Sequence, residues 1–185
     1  MAQLSASIPC IAELAVLLAA DHPSPFSSKL LSHLVLTGDL PTPYANPIFV
    51  CGAVIAAIGG LGRLWCFRAL GRHFTHHLAV RKDHRLITTG PYALMRHPGY
   101  FFGTLSGIGM SLMIASPGAF VRRCGWLDTV LGRVVLGVWA GQNVLGWVMS
   151  YIRCRTEDEL LRARFREEWD AYAGRVRYRM VPGAY

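Results

Sequence analysis

The sequence predicts an all-α fold: a polytopic membrane helical bundle with a polar loop on its cytosolic side and an amphipathic C-terminal helix. Three observations carry this expectation. Of 185 residues, 52% are hydrophobic and only 16% charged, with a positive mean hydropathy of +0.32; that is too apolar for an ordinary soluble domain of this length. Three uncharged stretches approach the roughly 20 residues that a membrane-spanning helix needs. Finally, residues 89–103 read Thr-Gly-Pro-Tyr-Ala-Leu-Met-Arg-His-Pro-Gly-Tyr-Phe-Phe-Gly, which sets turn-forming residues, a fixed cation and an imidazole where one of those stretches begins.

The chain divides by pattern into an N-terminal segment, residues 1–45, and a membrane domain, residues 46–185. In the first, Leu14 to Ala20 and Leu30 to Leu40 are too short or too interrupted for a clear span, so the segment is expected to be interfacial or one broken span. Met1 to Ser7 has no basic residue, and Glu13 interrupts the apolar run from Ile8 to Ala20, a poor secretory signal. Span one starts at Asn46, is uncharged to Gly62, and continues past Arg63 into the aromatic and basic cluster around Trp65 and Phe67. Span two runs from Pro98 to Val121 and is closed by Arg122 and Arg123; span three, Val134 to Ile152, lies between Arg133 and Arg153. Pro117, Gly118 and Gly125, with the intervening charges, suit a turn joining antiparallel spans two and three.

Such a hairpin brings the loop from Gly71 to His97 and the tail from Arg153 to Tyr185 to one membrane face. The loop carries Arg72, Arg81, Lys82, Arg85 and Arg96 against the single acid Asp83, and the tail carries eight arginines, so both are expected in the cytosol. In the tail, Leu160, Leu161, Phe165, Trp169 and Tyr172 recur at helical spacing among Arg and Glu. Arg153 and Glu157 are four residues apart and share a face. They read either as a surface ion pair worth about 0–1 kcal/mol or as a polar clamp at the mouth of span three, opposite Arg96 and His97.

Several functional classes find no support. The net charge of +8 suits anionic lipid headgroups better than nucleic acid, because no basic helix interleaved with exposed aromatics occurs. Cys10, Cys51, Cys66, Cys124 and Cys154 are odd in number, show no CxxC spacing and read as free thiols. His73, His76, His77, His84 and His97 lack a ligand-like spacing, so no metal is expected. Ser106 and Ser111 lie in an apolar helix without a nucleophile elbow, and no phosphate-cradling glycine loop is present.

Taken in order, Leu70-Gly71-Arg72-His73-Phe74-Thr75, His84-Arg85-Leu86-Ile87, Gly90-Pro91-Tyr92, Arg96-His97-Pro98-Gly99-Tyr100, and Glu157-Asp158 followed by Leu161, Phe165, Trp169 and Tyr172 resemble the isoprenylcysteine carboxyl methyltransferase family. The resemblance extends over about residues 46–182. It implies an integral membrane enzyme of the endoplasmic reticulum, with its active site facing the cytosol, that methylates the terminal carboxylate of a prenylated cysteine in proteins with S-adenosylmethionine. By motif position, His84, Arg85, Leu86, Ile87, Tyr92, His97, Pro98, Gly99, Tyr100 and Glu157 would surround the cofactor. His77 falls where the family often has a cofactor-touching glutamine, and Arg153 would face the substrate, with Arg96 as the second candidate for a catalytic arginine. The chain departs from the pattern at Phe102, where glycine is expected, at Asp158, where a second glutamate is usual, and at Arg166, where glycine follows the phenylalanine.

The residue types suit the chemistry. A sulfonium cofactor with an ammonium and an adenine wants aromatic faces, an acid and hydrogen-bonding groups, as Tyr92, Tyr100 and Glu157 offer. The acceptor carboxylate, with a pKa of about 3.5, is already ionised at neutral pH and needs orientation rather than a base. An arginine fork supplies that orientation. Two alternatives stay open: a phospholipid amine methyltransferase acting on phosphatidylethanolamine, in which His97 would serve as base, and a catalytically inert membrane protein that binds prenylated tails. Certain membrane reductases share the C-terminal pattern, and nicotinamide-dependent turnover would reveal one. Prenyl-chain preference and oligomeric state have no sequence signal.

Overall fold

The structure is a computed structural model and describes residues 2–36, 46–71, 86–181 and 183, with side chains from residue 11 onward. Every regular element among them is helical: α1 (Ala2–Asp21), α2 (Pro25–Leu34), α3 (Pro47–Leu70), α4 (Pro98–Ala115), α5 (Phe120–Arg123), α6 (Val130–Phe165) and α7 (Glu167–Arg175), with short 3-10 turns at Gly90–Ala93 and Trp126–Asp128. The chain forms two compact units, Met1–Ala57 with Gly107–Gly146, and Ile58–Ser106 with Trp147–Tyr185.

Two helical stretches among the described residues are long and apolar enough to cross a membrane, Pro47–Leu70 and Pro98–Arg123. Only 11% of the apolar window of the first is buried by protein, against 39% in the second. Ile48, Val50, Val54, Ile58 and Leu61 all stand exposed on α3. Apolar surface of this length left uncovered by protein needs lipid to cover it, as in an integral membrane protein. The expected third span lies within α6, which is long enough, but it does not reach the same apolarity. Gln142 and Asn143 at its middle lower the mean, while Val134, Val135, Val138, Val144, Leu145 and Val148 around them remain exposed.

In the first unit, Glu13 interrupts the apolar run but not the helix. α1 runs through it unbroken, and the carboxylate is buried against the backbone of Phe120. A new helix follows after Ser24, whose hydroxyl accepts from the Ser27 amide at 3.0 Å while the Ser27 hydroxyl accepts from the Ser24 amide at 2.6 Å, a reciprocal cap with Pro25 in the first turn. Val16, Ile114, Phe120 and Cys124 form the core, with Leu31, Leu34 and Trp139 against it. The indole of Trp126 donates to the Leu34 carbonyl at 2.8 Å. Here α3 and α4 touch through small residues: a Cβ on Gly109 would lie 2.3 Å from the Ala56 nitrogen, the close backbone approach that small residues permit between membrane helices.

The second unit holds the end of α3, residues 86–106, the later part of α6, α7 and the tail. Span three and the predicted amphipathic helix are one continuous helix, but that helix stops at Phe165. Arg166, with φ 46° and ψ −115°, breaks it, and α7 starts in a new direction. The turn carries Trp169, Tyr172 and Val176 into a small core with Leu86, Leu161, Phe165 and Ala173. Leu160, part of the sequence pattern, faces outward instead.

Candidate active site

Gly90 begins the site. Its φ of 62° is a left-handed conformation that glycine adopts without steric penalty, and it starts the 3-10 turn in which Pro91 is fully buried. The chain then straightens so that the backbone amides of Arg96 and His97 donate to the carbonyls of Tyr178 and Arg179, at 2.9 and 2.8 Å. Pro98 opens α4 at a position where no amide hydrogen is needed, and Tyr100 follows one turn above His97.

These residues meet the first polar turns of α6 beyond the apolar stretch. The Tyr100 hydroxyl donates to Glu157 Oε1 at 2.6 Å. His97 lies between the two successive acids: its Nε2 is 2.7 Å from Asp158 Oδ1 and its Nδ1 is 3.4 Å from Glu157 Oε2. Because both ring nitrogens face carboxylate oxygens, the arrangement calls for a hydrogen on each, an imidazolium. Burial pushes the His97 pKa down, but the hydrogen bonds and charges of Asp158 and Glu157 outweigh it and the net shift is upward. For Asp158, burial acts upward, and His97, Arg96 and Arg179 overcome it to hold the carboxyl below the ordinary range.

Asp158 collects more partners than any other acid in this cluster. Arg96 Nη1 and Arg179 Nε donate to its Oδ2 at 3.1 and 2.9 Å, and its main-chain carbonyl accepts from the Trp169 indole at 2.5 Å. Arg96 also donates to the Arg177 carbonyl at 3.1 Å and lies over the Trp169 ring at 5.2 Å. The Tyr172 hydroxyl donates to the Tyr92 carbonyl at 2.8 Å, so α7 clamps the loop from outside. The two neighbouring acids differ in access: the Asp158 side chain is 9% exposed and sealed by its partners, whereas Glu157 is 27% exposed. Glu157 is thus the more accessible of the two, with Oε1 facing Tyr100 and Oε2 facing His97.

Of the site residues read from the sequence, the structure brings together Tyr92, Arg96, His97, Pro98, Gly99, Tyr100 and Glu157. Burial raises the Tyr92 hydroxyl well above its ordinary range, keeping it a neutral donor. Leu86 packs under α7, and Ile87 is half-buried beside it in sequence. Arg153 is exposed, and its guanidinium engages Tyr100. Glu157 is turned toward Tyr100 and His97 rather than into an exclusive pair with Arg153. Arg96, the second candidate for a catalytic arginine, is bound to Asp158, Arg177 and Trp169. His77, His84 and Arg85 lie outside the described residues.

Two contributors escaped sequence reasoning. Asp158 was seen as part of a motif in which a second glutamate is usual, but not as a site residue, although its position beside Glu157 was the available signal. Arg179 sits in a tail without periodicity. Cys154, buried beside the two acids, has its thiol pushed up to about 12 by that burial, so it is no nucleophile at neutral pH.

Residues 51–125 match the model of the isoprenylcysteine carboxyl methyltransferase family. Among curated relatives, a probable protein-S-isoprenylcysteine O-methyltransferase of Oryza sativa subsp. indica is 32% identical over 127 residues, 68% of this chain and 56% of that protein. Protein-S-isoprenylcysteine O-methyltransferase B of Arabidopsis thaliana is 32% identical over 68 residues, 36% of this chain and 34% of its own length. The cobalt-zinc-cadmium resistance protein CzcN of Cupriavidus metallidurans is 33% identical over 90 residues, 49% of this chain and 37% of that protein. The chain thus spans about half the length of the first of these relatives. No solved structure matches it.

Proposed function

The chain belongs, through residues 51–125, to the isoprenylcysteine carboxyl methyltransferase family, and from that premise we propose that it methylates the C-terminal carboxylate of a prenylated cysteine with S-adenosylmethionine as donor. The observation that carries the reading is the half-open Glu157 carboxylate, held by Tyr100 and His97 at the membrane end of α4 and α6, with Tyr92 in the adjoining loop. An acid, two tyrosines and an imidazolium fit a ligand that joins an ammonium, a carboxylate and an adenine.

When bound, S-adenosylmethionine supplies a methyl group on a sulfonium, ready for in-line displacement. The protein has no proton to remove, since the acceptor carboxylate is ionised at neutral pH. Its task is orientation and exclusion of water. In this reading Glu157 holds the donor's ammonium, the tyrosines offer ring faces and hydroxyls, and exposed Arg153 holds the acceptor carboxylate in its fork. The prenyl chain lies among the lipid-exposed faces of the spans, and the site faces the cytosol on the endoplasmic reticulum membrane. The methyltransferase domain is residues 46–185.

The state of His97 supports carboxyl over amine methylation. An ammonium acceptor must first lose a proton, and an imidazolium with both nitrogens engaged is a poor base. The test is methyl transfer by the protein in lipid vesicles, offered farnesylated N-acetylcysteine and phosphatidylethanolamine. A base-labile methyl ester on the cysteine derivative is expected; methylation of the lipid alone rejects the proposal.

A further inference from the structure

Arg63 is a cation for which the reading above has no role. It lies half-buried on α3, where its Nη1 donates to the Gly99 carbonyl at 2.9 Å and its guanidinium carbon stands 5.0 Å from the centre of the Phe67 ring. Among the described residues its Nε is buried without an acceptor, as is the Nε of Arg96. Among the described residues, Cys66, Tyr92 and Tyr100 lie within reach of its charge, and none of these three is anionic at neutral pH. Arg96, by contrast, has Asp158 as counter-ion. A guanidinium set among apolar helices is held there at a cost, and an anion that takes its free donor offsets that cost.

The location says what kind of anion. Tyr92 and Tyr100 are two of the residues assigned above to the donor site, and Gly99 lies between His97 and Tyr100. We infer that Arg63 is a second carboxylate-binding residue of this site, using its unpartnered Nε–H together with its charge. The inference rests on the methyl-transfer reading, which brings two carboxylates to the site: that of the donor's amino-acid end and that of the acceptor cysteine. The planar arginine suits either, because its Nε edge and one amino group form a fork that matches a carboxylate.

Paired ligands separate the sources. S-adenosylhomocysteine carries the donor carboxylate and 5′-methylthioadenosine lacks it; farnesylated N-acetylcysteine carries the acceptor carboxylate and its carboxamide does not. Binding of all four is measured by calorimetry on detergent-solubilised wild type, Arg63→Met and Arg63→Lys, with thermal unfolding to check the fold. A loss of about 10- to 100-fold confined to S-adenosylhomocysteine assigns Arg63 to the donor, and the same loss confined to the farnesylcysteine acid assigns it to the acceptor. If Arg63→Met does not fold, Arg63→Lys, which keeps the charge without the fork, is expected to show a smaller loss with the same selectivity. Equal weakening of charged and neutral partners in both pairs, or no weakening, overturns the inference while leaving methyl transfer intact. A wild type that binds neither carboxylate ligand overturns the methyl-transfer reading, and Arg63's role with it.

Discussion

The imidazole of His97, four residues after Ala93 closes the 3-10 turn, approaches Asp158 on α6 to 2.7 Å, with both side chains nearly sealed from solvent. His97 has its pKa raised from 6.5, so its contribution to stability is complete below 6.5 and is lost as pH climbs through the raised value. Asp158 has its pKa lowered from 3.8; its contribution is complete above 3.8 and is lost as pH falls through the lowered value. The pair therefore stabilises the second unit most between those two ordinary values. Asp158→Asn is expected to remove about 3–5 kcal/mol, the usual penalty for stranding a buried charge, and to flatten the pH dependence. Thermal unfolding in detergent across a pH series checks both, and an unchanged pH profile in the variant would show that the pair is not the titrating element.

Arg153 differs from Arg96 in being exposed and in touching the site at Tyr100. Arg153→Ala is expected to lower kcat/KM for a farnesylated cysteine by about 100-fold or more, as loss of an orienting charged contact does, while leaving S-adenosylhomocysteine affinity within about threefold. Arg153→Lys should recover only part of the rate, because an ammonium has no planar fork. Cofactor affinity that falls in step with turnover would place Arg153 in the donor site instead.

How much of this arrangement was legible in the sequence depends on the kind of signal each residue carries. Spans one and two were plain, because a long uncharged run has few alternatives. The meeting of His97 with the start of the tail at Glu157 was anticipated from the hairpin argument, whereas the attachment of Arg96 to Asp158 was not. α1 was left open because Glu13 breaks its apolar run, and the backbone of Phe120 against which that carboxylate is buried lies far along the chain. The bend before α7 was missed although Arg166 stands where the motif has glycine, because nothing about an arginine itself announces a positive φ. Arg179 was unreadable for a similar reason: its contact with Asp158 crosses from an irregular tail whose residues follow neither helical nor strand periodicity.

Arg166 gives that bend a measurable consequence. It holds φ 46° and ψ −115°, a region natural to glycine and strained by about 1–3 kcal/mol for other residues. It is also the position where the motif pattern favours glycine. Arg166→Gly should raise stability by about 1 kcal/mol once the entropy of the unfolded glycine is set against the relieved strain. Arg166→Val should lower it. A melting temperature in detergent that falls for Arg166→Gly would mean that the guanidinium makes compensating contacts at the surface.

Phe102, another of the three departures from the motif, is accommodated by Gly62. A Cβ on Gly62 would lie 2.2 Å from the Phe102 ring, whereas a Cβ on Gly59 would lie 2.4 Å from the Ser106 backbone nitrogen. The two glycines thus permit contacts of different kinds, one with a side chain that can be removed and one with backbone that cannot. Gly62→Ala is expected to destabilise by about 1–3 kcal/mol, the range for overpacking, and Phe102→Ala in the same chain should restore most of the loss after its own effect is subtracted. Gly59→Ala should destabilise at least as much, and Phe102→Ala should not rescue it. A double-mutant cycle on melting temperature decides the matter, because strict additivity for Gly62 and Phe102 would mean that the ring swings away freely and that the glycine there serves another purpose.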